Sequence, residues 1–144
     1  MGSGLVDRAK AAAIEQIAAG LDAFVAAGGA EPDGHRDAIT MVRELERVGR
    51  RLAAQQVAAV EAIDRQGLHR HDAHASAKVM DRHVARVSDG EAGRRYSARR
   101  VRRELPAVWA RFVAGDISRC HLDRVARAMA NPRVRTRLVG NDEA

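Results

Sequence analysis

The chain has 144 residues, which suits one domain, and 46% of them are hydrophobic, so a fully disordered chain is excluded. Aromatic residues make up only 3%, which favours thin helix-on-helix packing over a β-sandwich. The net charge of +6 is uneven, because residues 1–72 contain 9 Lys/Arg against 11 Asp/Glu and residues 73–144 contain 16 against 8. The basic second half favours an acidic partner such as nucleic acid.

Cysteine usage and hydropathy bear on where the chain resides. The single cysteine, Cys120, excludes an internal disulfide and a Cys-rich zinc site, and a reducing cytosol is the simplest compartment. No apolar run approaches the roughly 20 residues of a membrane span, and the N-terminus lacks the pattern of a signal peptide. We therefore expect a cytoplasmic protein that is neither exported nor inserted in a membrane.

The first half predicts two long helices. An Ala-rich segment from Leu5 to about Ala27 has helical apolar spacing and stops at Gly28, and a second helix should run from about Asp37 to Gln66, closed by Gly67. The apolar stripe of the second helix consists of Met41, Leu45, Val48, Leu52, Gln56, Ala59 and Ile63. This spacing favours packing on the first helix as a long antiparallel hairpin, and it leaves packing on another copy of the chain open.

Shorter elements follow a His-rich turn at residues 67–75. Ser76 is suited to cap a helix through Arg86, and Ser88 with Glu91 has the spacing of a capping box that opens a helix to about Leu105.

The remaining helix start and stop signals predict three more short helices. Pro106 begins a helix that Gly115 ends, Ser118 caps the next helix, and Asn131 with Pro132 opens the last one. We therefore expect an all-α single domain over residues 1–144, with a long antiparallel helical hairpin at 1–66, the His-rich turn at 67–75 and a bundle of shorter helices, a basic subdomain, at 76–144.

The histidines of the turn are the first candidates for chemistry. His69, His71 and His74 could ligate zinc, but no Glu stands in a general-base register and Asp72 is the only carboxylate among them. We expect these histidines to hydrogen-bond within the turn. No catalytic residue, metal site, cofactor or small-molecule substrate is predicted.

The second candidate is a run of arginines between residues 94 and 103. The predicted nucleic-acid-binding residues are Arg94, Arg95, Arg99, Arg100, Arg102 and Arg103. On a helix, residues 95, 99, 102 and 103 share an arc of roughly 100°. Such a face needs either acidic residues of the chain or an external polyanion to offset its repulsion, and DNA phosphate is the obvious polyanion. The alternative is a solvated face, or one paired with the acidic first half.

A helix, Gly-containing turn and helix from Ala107 to Met129 is the third candidate. As a helix-turn-helix it would offer Arg119, Arg124 and Arg127 to a major groove. Because it has no base-reading Asn or Gln and many helical hairpins share this pattern, we favour a plain hairpin.

The order and spacing of several motifs resemble a known bacterial family. RELERVGRRL, AAVEAIDRQG, LHRHDAHASA, EAGRRYSARRVRRELP and AGDISRCHLDRVARAM, between about Arg43 and Met129, are similar to the N-terminal domain of unknown function that precedes HNH endonuclease modules, including the mobile-element-associated 13E12 repeat family. There are two departures: Val79 and Met80 replace the aromatic residue that the family usually has there, and Ser88-Asp89-Gly90-Glu91-Ala92 replaces its usual Ser-Pro-x-Glu-Ala start.

The resemblance implies a function without the family's nuclease activity. An HNH module needs histidines and an asparagine on a metal finger, and the sequence has no histidine beyond His121. We therefore expect a non-catalytic accessory domain that positions DNA through the arginine-rich helix. The alternatives are a helical oligomerisation or partner-binding domain that uses the long helix, or a truncated remnant with no activity of its own.

Overall fold

A computed structural model describes the backbone of residues 3–142 and the side chains from Asp7 onward. This part of the chain is all-α, as predicted, and contains no strand. Its elements are α1 (Ser3–Ala26), α2 (His35–Gln66), a short 3₁₀ helix (Leu68–Arg70), α3 (Ala77–Val84), α4 (Asp89–Glu104), α5 (Pro106–Val113), α6 (Arg119–Ala128) and α7 (Pro132–Asn141). None of these helices combines the length and the apolar character that crossing a membrane requires.

The chain divides into two compact units. The first unit ends at Arg43 and the second begins at Glu44, so the boundary lies inside α2 and not at the His-rich turn. The predicted single domain covered residues 1–144, of which 1–2 and 143–144 lie outside the described residues. The second unit contains both candidate sites.

Four predicted side-chain caps are confirmed. Each capping oxygen accepts a hydrogen bond from a backbone N–H in the first turn of its helix, as orphan donors at a helix start require. The pairs are Ser76 with Val79, Ser88 with Glu91, Ser118 with His121, and Asn131 with Arg133. These signals are local, so the sequence sufficed to predict them.

The start of α5 has a cap that the sequence did not predict. Leu105 offers it no side-chain acceptor, and Pro106 occupies its first turn. The carboxylate of Asp142 instead accepts from the backbone N–H of Ala107 at 2.8 Å and of Val108 at 3.1 Å. The end of α7 is thereby attached to the start of α5.

One apolar cluster forms the core of the second unit. Its buried members are Ala53, Ala54, Val57, Ala98, Val101, Leu105, Phe112, Leu122, Ala126 and Met129. They come from α2, α4, α5 and α6 and from the residues that adjoin these helices. Alanines of α4 and α6 let these two helices approach closely, and fully buried Phe112 lies in the same cluster as Ala53 and Ala54 of α2.

The buried face of α2 is not the predicted apolar stripe. Leu45, Val48 and Leu52 expose 41%, 54% and 44% of their surface. The buried residues of α2 are Ala53, Ala54, Val57, Val60 and Glu61. At 100° per residue, the centres of the two faces lie about 140° apart. The difference arises because small residues and acidic ion-pair partners, and not the largest apolar side chains, face α4.

Gly115 fixes the turn between α5 and α6 against α2. Its φ of 86° lies in the left-handed region, and a Cβ there would lie 2.8 Å from Cγ and 3.0 Å from the carbonyl oxygen of Arg47. Arg50 donates a hydrogen bond of 3.1 Å to the carbonyl oxygen of Gly115. A glycine is therefore required both by the backbone conformation and by the close approach of α2.

Candidate nucleic-acid interface

The six predicted arginines all lie on α4, which packs against α3, α5 and α6. They fall into two groups. Arg95, Arg99, Arg102 and Arg103 are bonded to acidic residues of α2, α3 and α4, and we call them the paired arginines. Arg94 and Arg100 line a groove on another side of α4, where Arg94 also bonds to Glu91 and Arg99 of the first group lines the groove as well.

Two carboxylates of α2 hold three of the paired arginines. Glu61, which is 2% exposed, accepts from Arg102 at 2.9 Å and from Arg103 at 3.0 Å. Asp64 accepts from Arg99 at 3.0 Å and from Arg103 at 2.7 Å. Arg103 therefore bridges both carboxylates, and each bond is a charge-assisted one of the stronger kind.

The titration behaviour of this cluster follows from its geometry. Burial raises the pKa of Asp64, but the hydrogen bonds and charges of Arg99 and Arg103 outweigh it, so that the pKa is lowered. The hydrogen bonds from Arg103 to Glu61 and Asp64 raise the pKa of that guanidinium. The ion pairs between α2 and α4 are therefore preserved around neutral pH.

Glu91 organises the other end of α4. In place of the second arm of the predicted capping box, its carboxylate accepts from Arg94 at 2.8 Å, from Arg95 at 3.1 Å and from Arg119. Burial raises the pKa of Glu91, but the hydrogen bonds from Arg119 and Arg94 and the charges of Arg119 and Arg95 lower it from 4.5 to about 2. Arg95 also reaches Asp81 at 3.2 Å, so α3, α4 and α6 meet at one charged cluster.

The paired arginines thus have acidic partners inside the chain. Glu61 and Asp64 belong to the acidic first half of the sequence, so three of the paired arginines have the partners that were expected as the alternative to phosphate. Arg95 and Arg99 expose only 11% of their side chains. Phosphate contact by these residues stays a prediction, and it would have to compete with bonds already made.

A groove of about 380 Å³ lies between α4 and α6, and we call it the α4/α6 groove. Its small lining residues are Gly90, Gly93, Ser97, Ala126 and Ala130. Arg94, Arg100 and Arg127 also line it, with Asp123 4.0 Å from Arg94. Within residues 7–142, Arg100 and Arg127 have no acidic partner within salt-bridge distance. Sequence reasoning did not join Arg127 to Arg100, because that requires the packing of α6 on α4.

Tyr96 also lines the groove. The guanidinium of Arg99 lies over its ring, 3.7 Å from the centroid, and donates to the Tyr96 carbonyl oxygen at 3.0 Å. A cation–π contact of this kind holds the arginine and the ring in one orientation. Arg99 therefore lines the groove while its charge is directed to Asp64.

Backbone hydrogen bonds hold the His-rich turn. Nδ1 of His69 and Nδ1 of His74 are buried without a hydrogen-bond partner among the described residues, so the expected hydrogen bonds of these side chains within the turn are not seen. Nε2 of His74 lies 3.0 Å from Nδ1 of His83, and the N–H of His74 donates to the carbonyl oxygen of His69. His71 is exposed. Within residues 7–142, no three or more His, Cys, Asp and Glu side chains are grouped so that they could hold a metal ion.

The helix, turn and helix predicted from Ala107 to Met129 correspond to α5 and α6, which are joined by the turn at Gly115. The face of α6 with Leu122 and Ala126 is buried, and Arg119 is bonded to Glu91. Arg124 and Arg127 remain exposed. If α6 were the recognition helix of a helix-turn-helix, it would therefore offer two of the three predicted arginines to a major groove.

Comparisons with protein-family models, with curated proteins and with solved structures find no match to this chain. The resemblance to the domain that precedes HNH endonuclease modules therefore stays a prediction from the motifs.

Proposed function

We propose that the chain is a non-catalytic, cytoplasmic accessory domain of an HNH-endonuclease-associated, mobile-element-type protein, and that it positions DNA. The proposal combines the motif resemblance with one observation. Arg100 and Arg127, from two different helices, both line the α4/α6 groove without an acidic partner among the described residues. Two unpaired guanidiniums in one groove favour a ligand with oxygen anions, and arginine bonds phosphate bidentately.

The groove suits a phosphodiester backbone better than a base edge. Its small lining residues allow a strand to approach closely, while Arg94, Arg100 and Arg127 supply donors that fix register without reading sequence. Asp123 is the one carboxylate that lines it, and Arg94 partly compensates its charge. DNA binding of this kind is independent of sequence and falls with rising salt.

The proposed contact differs from the arginine face that the sequence predicts. Of the six predicted residues, Arg94 and Arg100 line the groove. The side chain of Arg94 is half exposed, and Arg100 has no acidic partner among the described residues. Arg127 of α6 lines the same groove. The paired arginines hold α4 in place. Their contribution to DNA binding is therefore indirect, through the position of Arg100.

The test is a DNA-binding titration at several salt concentrations with the variant R100A/R127A. The matched control is R133A/R137A, which removes two exposed arginines of α7 and changes the net charge equally. If the groove holds phosphates, R100A/R127A weakens binding and makes the slope of log K against log salt shallower by about 2, since each lost phosphate contact removes about 0.9. The control keeps a slope close to that of the wild type.

Two results would overturn the proposal. One is a wild-type chain that fails to bind DNA near physiological salt. The other is an equal loss in both double variants, which would indicate a diffuse charge effect in place of a groove.

A second candidate function, a helical oligomerisation or partner-binding domain, is favoured by a different observation. Leu45, Val48 and Leu52 of α2 remain exposed although they form a continuous apolar stripe. Exposed apolar patches of this kind are typical of protein interfaces.

A further inference from the structure

The surface of α2 between residues 44 and 52 has an apolar stripe that its own unit does not cover. Leu45, Val48 and Leu52 lie at intervals of three and four residues and expose 41%, 54% and 44% of their surface. The core of the second unit lies on another face of the helix, about 150° away. The stripe can therefore be covered without disturbing that core.

Gly49 lies beside this stripe in the interior of a helix. A glycine there costs about 1 kcal/mol relative to alanine. A Cβ at Gly49 would meet no atom within 4 Å, so among the described residues no close packing requires the glycine. A missing side chain at such a point allows the backbone of another helix to come close.

The charges that border the stripe favour one particular occupant. Glu44 and Arg51 lie on the same flank of the stripe, seven residues apart, and neither has an ion-pair partner among the described residues. Along the helix axis, Glu44 and Leu45 lie before Val48, and Arg51 and Leu52 lie after it at similar distances. The segment is therefore close to self-complementary under a reversal of direction.

We propose that α2 binds α2 of a second copy of this chain, antiparallel, around a two-fold axis close to Val48. In this arrangement Glu44 of each copy faces Arg51 of the other, Leu45 faces the region of Leu52, and Val48 packs near the open space at Gly49. A two-fold interface uses the same patch on both copies, so each favourable contact occurs twice. A parallel, in-register pair would leave Glu44 and Arg51 without each other.

The size of the segment sets the expected affinity. Nine helical residues span only about 13 Å, so the interface is small and the dimer should dissociate in the micromolar range. This proposal does not depend on DNA binding, because the stripe and the α4/α6 groove use different residues.

The first test compares V48E with V84E by sedimentation equilibrium of the full chain over a wide concentration range. Both are exposed valines, 54% and 68% exposed, and the two substitutions are chemically identical. V48E should raise the dimer dissociation constant by at least about tenfold, because it places a charge at the centre of an apolar contact. V84E, on α3, should leave the dissociation constant within about twofold of the wild-type value.

The second test exchanges the charges. E44R and R51E should each weaken the dimer by about threefold, and E44R/R51E should restore it, because the reversed charges again face each other. Circular dichroism must show equal helicity for all variants. A chain that stays monomeric up to about 1 mM, a dimer that V48E leaves intact, or a double variant as weak as the sum of its single changes would overturn the proposal.

Discussion

Glu61 is the one buried charged residue in the part of the chain whose side chains are described. A carboxylate in such a place is tolerated only if donors surround it. One oxygen accepts from Arg103, and the other accepts from Arg102 and, at 3.3 Å, from Arg65. Arg102 also donates to the carbonyl oxygen of Ala58. The residue therefore anchors α4 on α2 through charged hydrogen bonds.

Replacement of Glu61 by Gln tests this anchor. E61Q keeps the size of the side chain but removes the charge, so Arg102 and Arg103 lose an anionic acceptor, and we expect the free energy of unfolding to fall by about 2 kcal/mol. The control is E46Q on the same helix, where Glu46 is 56% exposed and, among the described residues, pairs with Arg50 alone. For that exposed pair we expect a loss of about 0.5 kcal/mol or less. Urea unfolding of the two variants measures both values, and equal losses would contradict the role of Glu61.

At the scale of the helices, α4 is held by charge at both ends. Near its C-terminus, arginines of α4 bond to Glu61 and Asp64 of α2. Near its N-terminus, Glu91 of α4 bonds to Arg119 of α6, while Arg95 bonds to Asp81 of α3. The apolar side chains of α4 that are buried are small, so these ion pairs help to fix which face of the helix is turned inward.

The depressed pKa of Glu91 predicts how stability depends on pH. The folded value is about 2 against 4.5 for the usual group, so folding favours the ionised form. The stabilisation is complete above pH 4.5 and is lost as the pH falls towards 2, where the folded protein also takes up the proton. E91Q lacks this contribution, so its stability should fall less steeply than that of the wild type between these values. Urea midpoints at several pH values measure the two slopes, and parallel curves would contradict the prediction.

The sequence predicted features that depend on near neighbours. The caps at Ser76, Ser88 and Ser118 involve residues three positions apart, and the all-α class follows from helical spacing. The cap from Asp142 on α5, across more than 30 residues, could not be predicted in this way. The candidate site could not be predicted in this way either, because the acidic partner of each guanidinium depends on which helix lies beside α4.

At the scale of the whole molecule, the pairing of charges separates stabilising arginines from available ones. Between residues 44 and 142 the sequence has 21 Lys/Arg against 12 Asp/Glu, so acidic residues cannot compensate all of them. The paired arginines of α4 have the partly buried partners. The exposed arginines without an acidic partner among the described residues include Arg124, Arg127 and Arg133. The same change of net charge should therefore alter the free energy of unfolding by very different amounts at different positions.

Two quadruple variants with the same change of net charge test this separation. R95E/R99E/R102E/R103E places new carboxylates beside Asp81, Asp64 and Glu61, and we expect it to lose more than about 5 kcal/mol, enough to abolish cooperative unfolding in a small domain. R100E/R124E/R127E/R133E changes arginines that no described carboxylate holds, and it should keep its helicity and lose about 1 kcal/mol or less. Circular dichroism during urea titration distinguishes the two outcomes. Equal losses would mean that total charge, and not the ion pairs of α4, governs stability. If the losses differ as expected, weak DNA binding by the first variant would say nothing about phosphate contact, because that variant is unfolded. Weak DNA binding by the second variant, which is still folded, would indicate that its arginines contact phosphate.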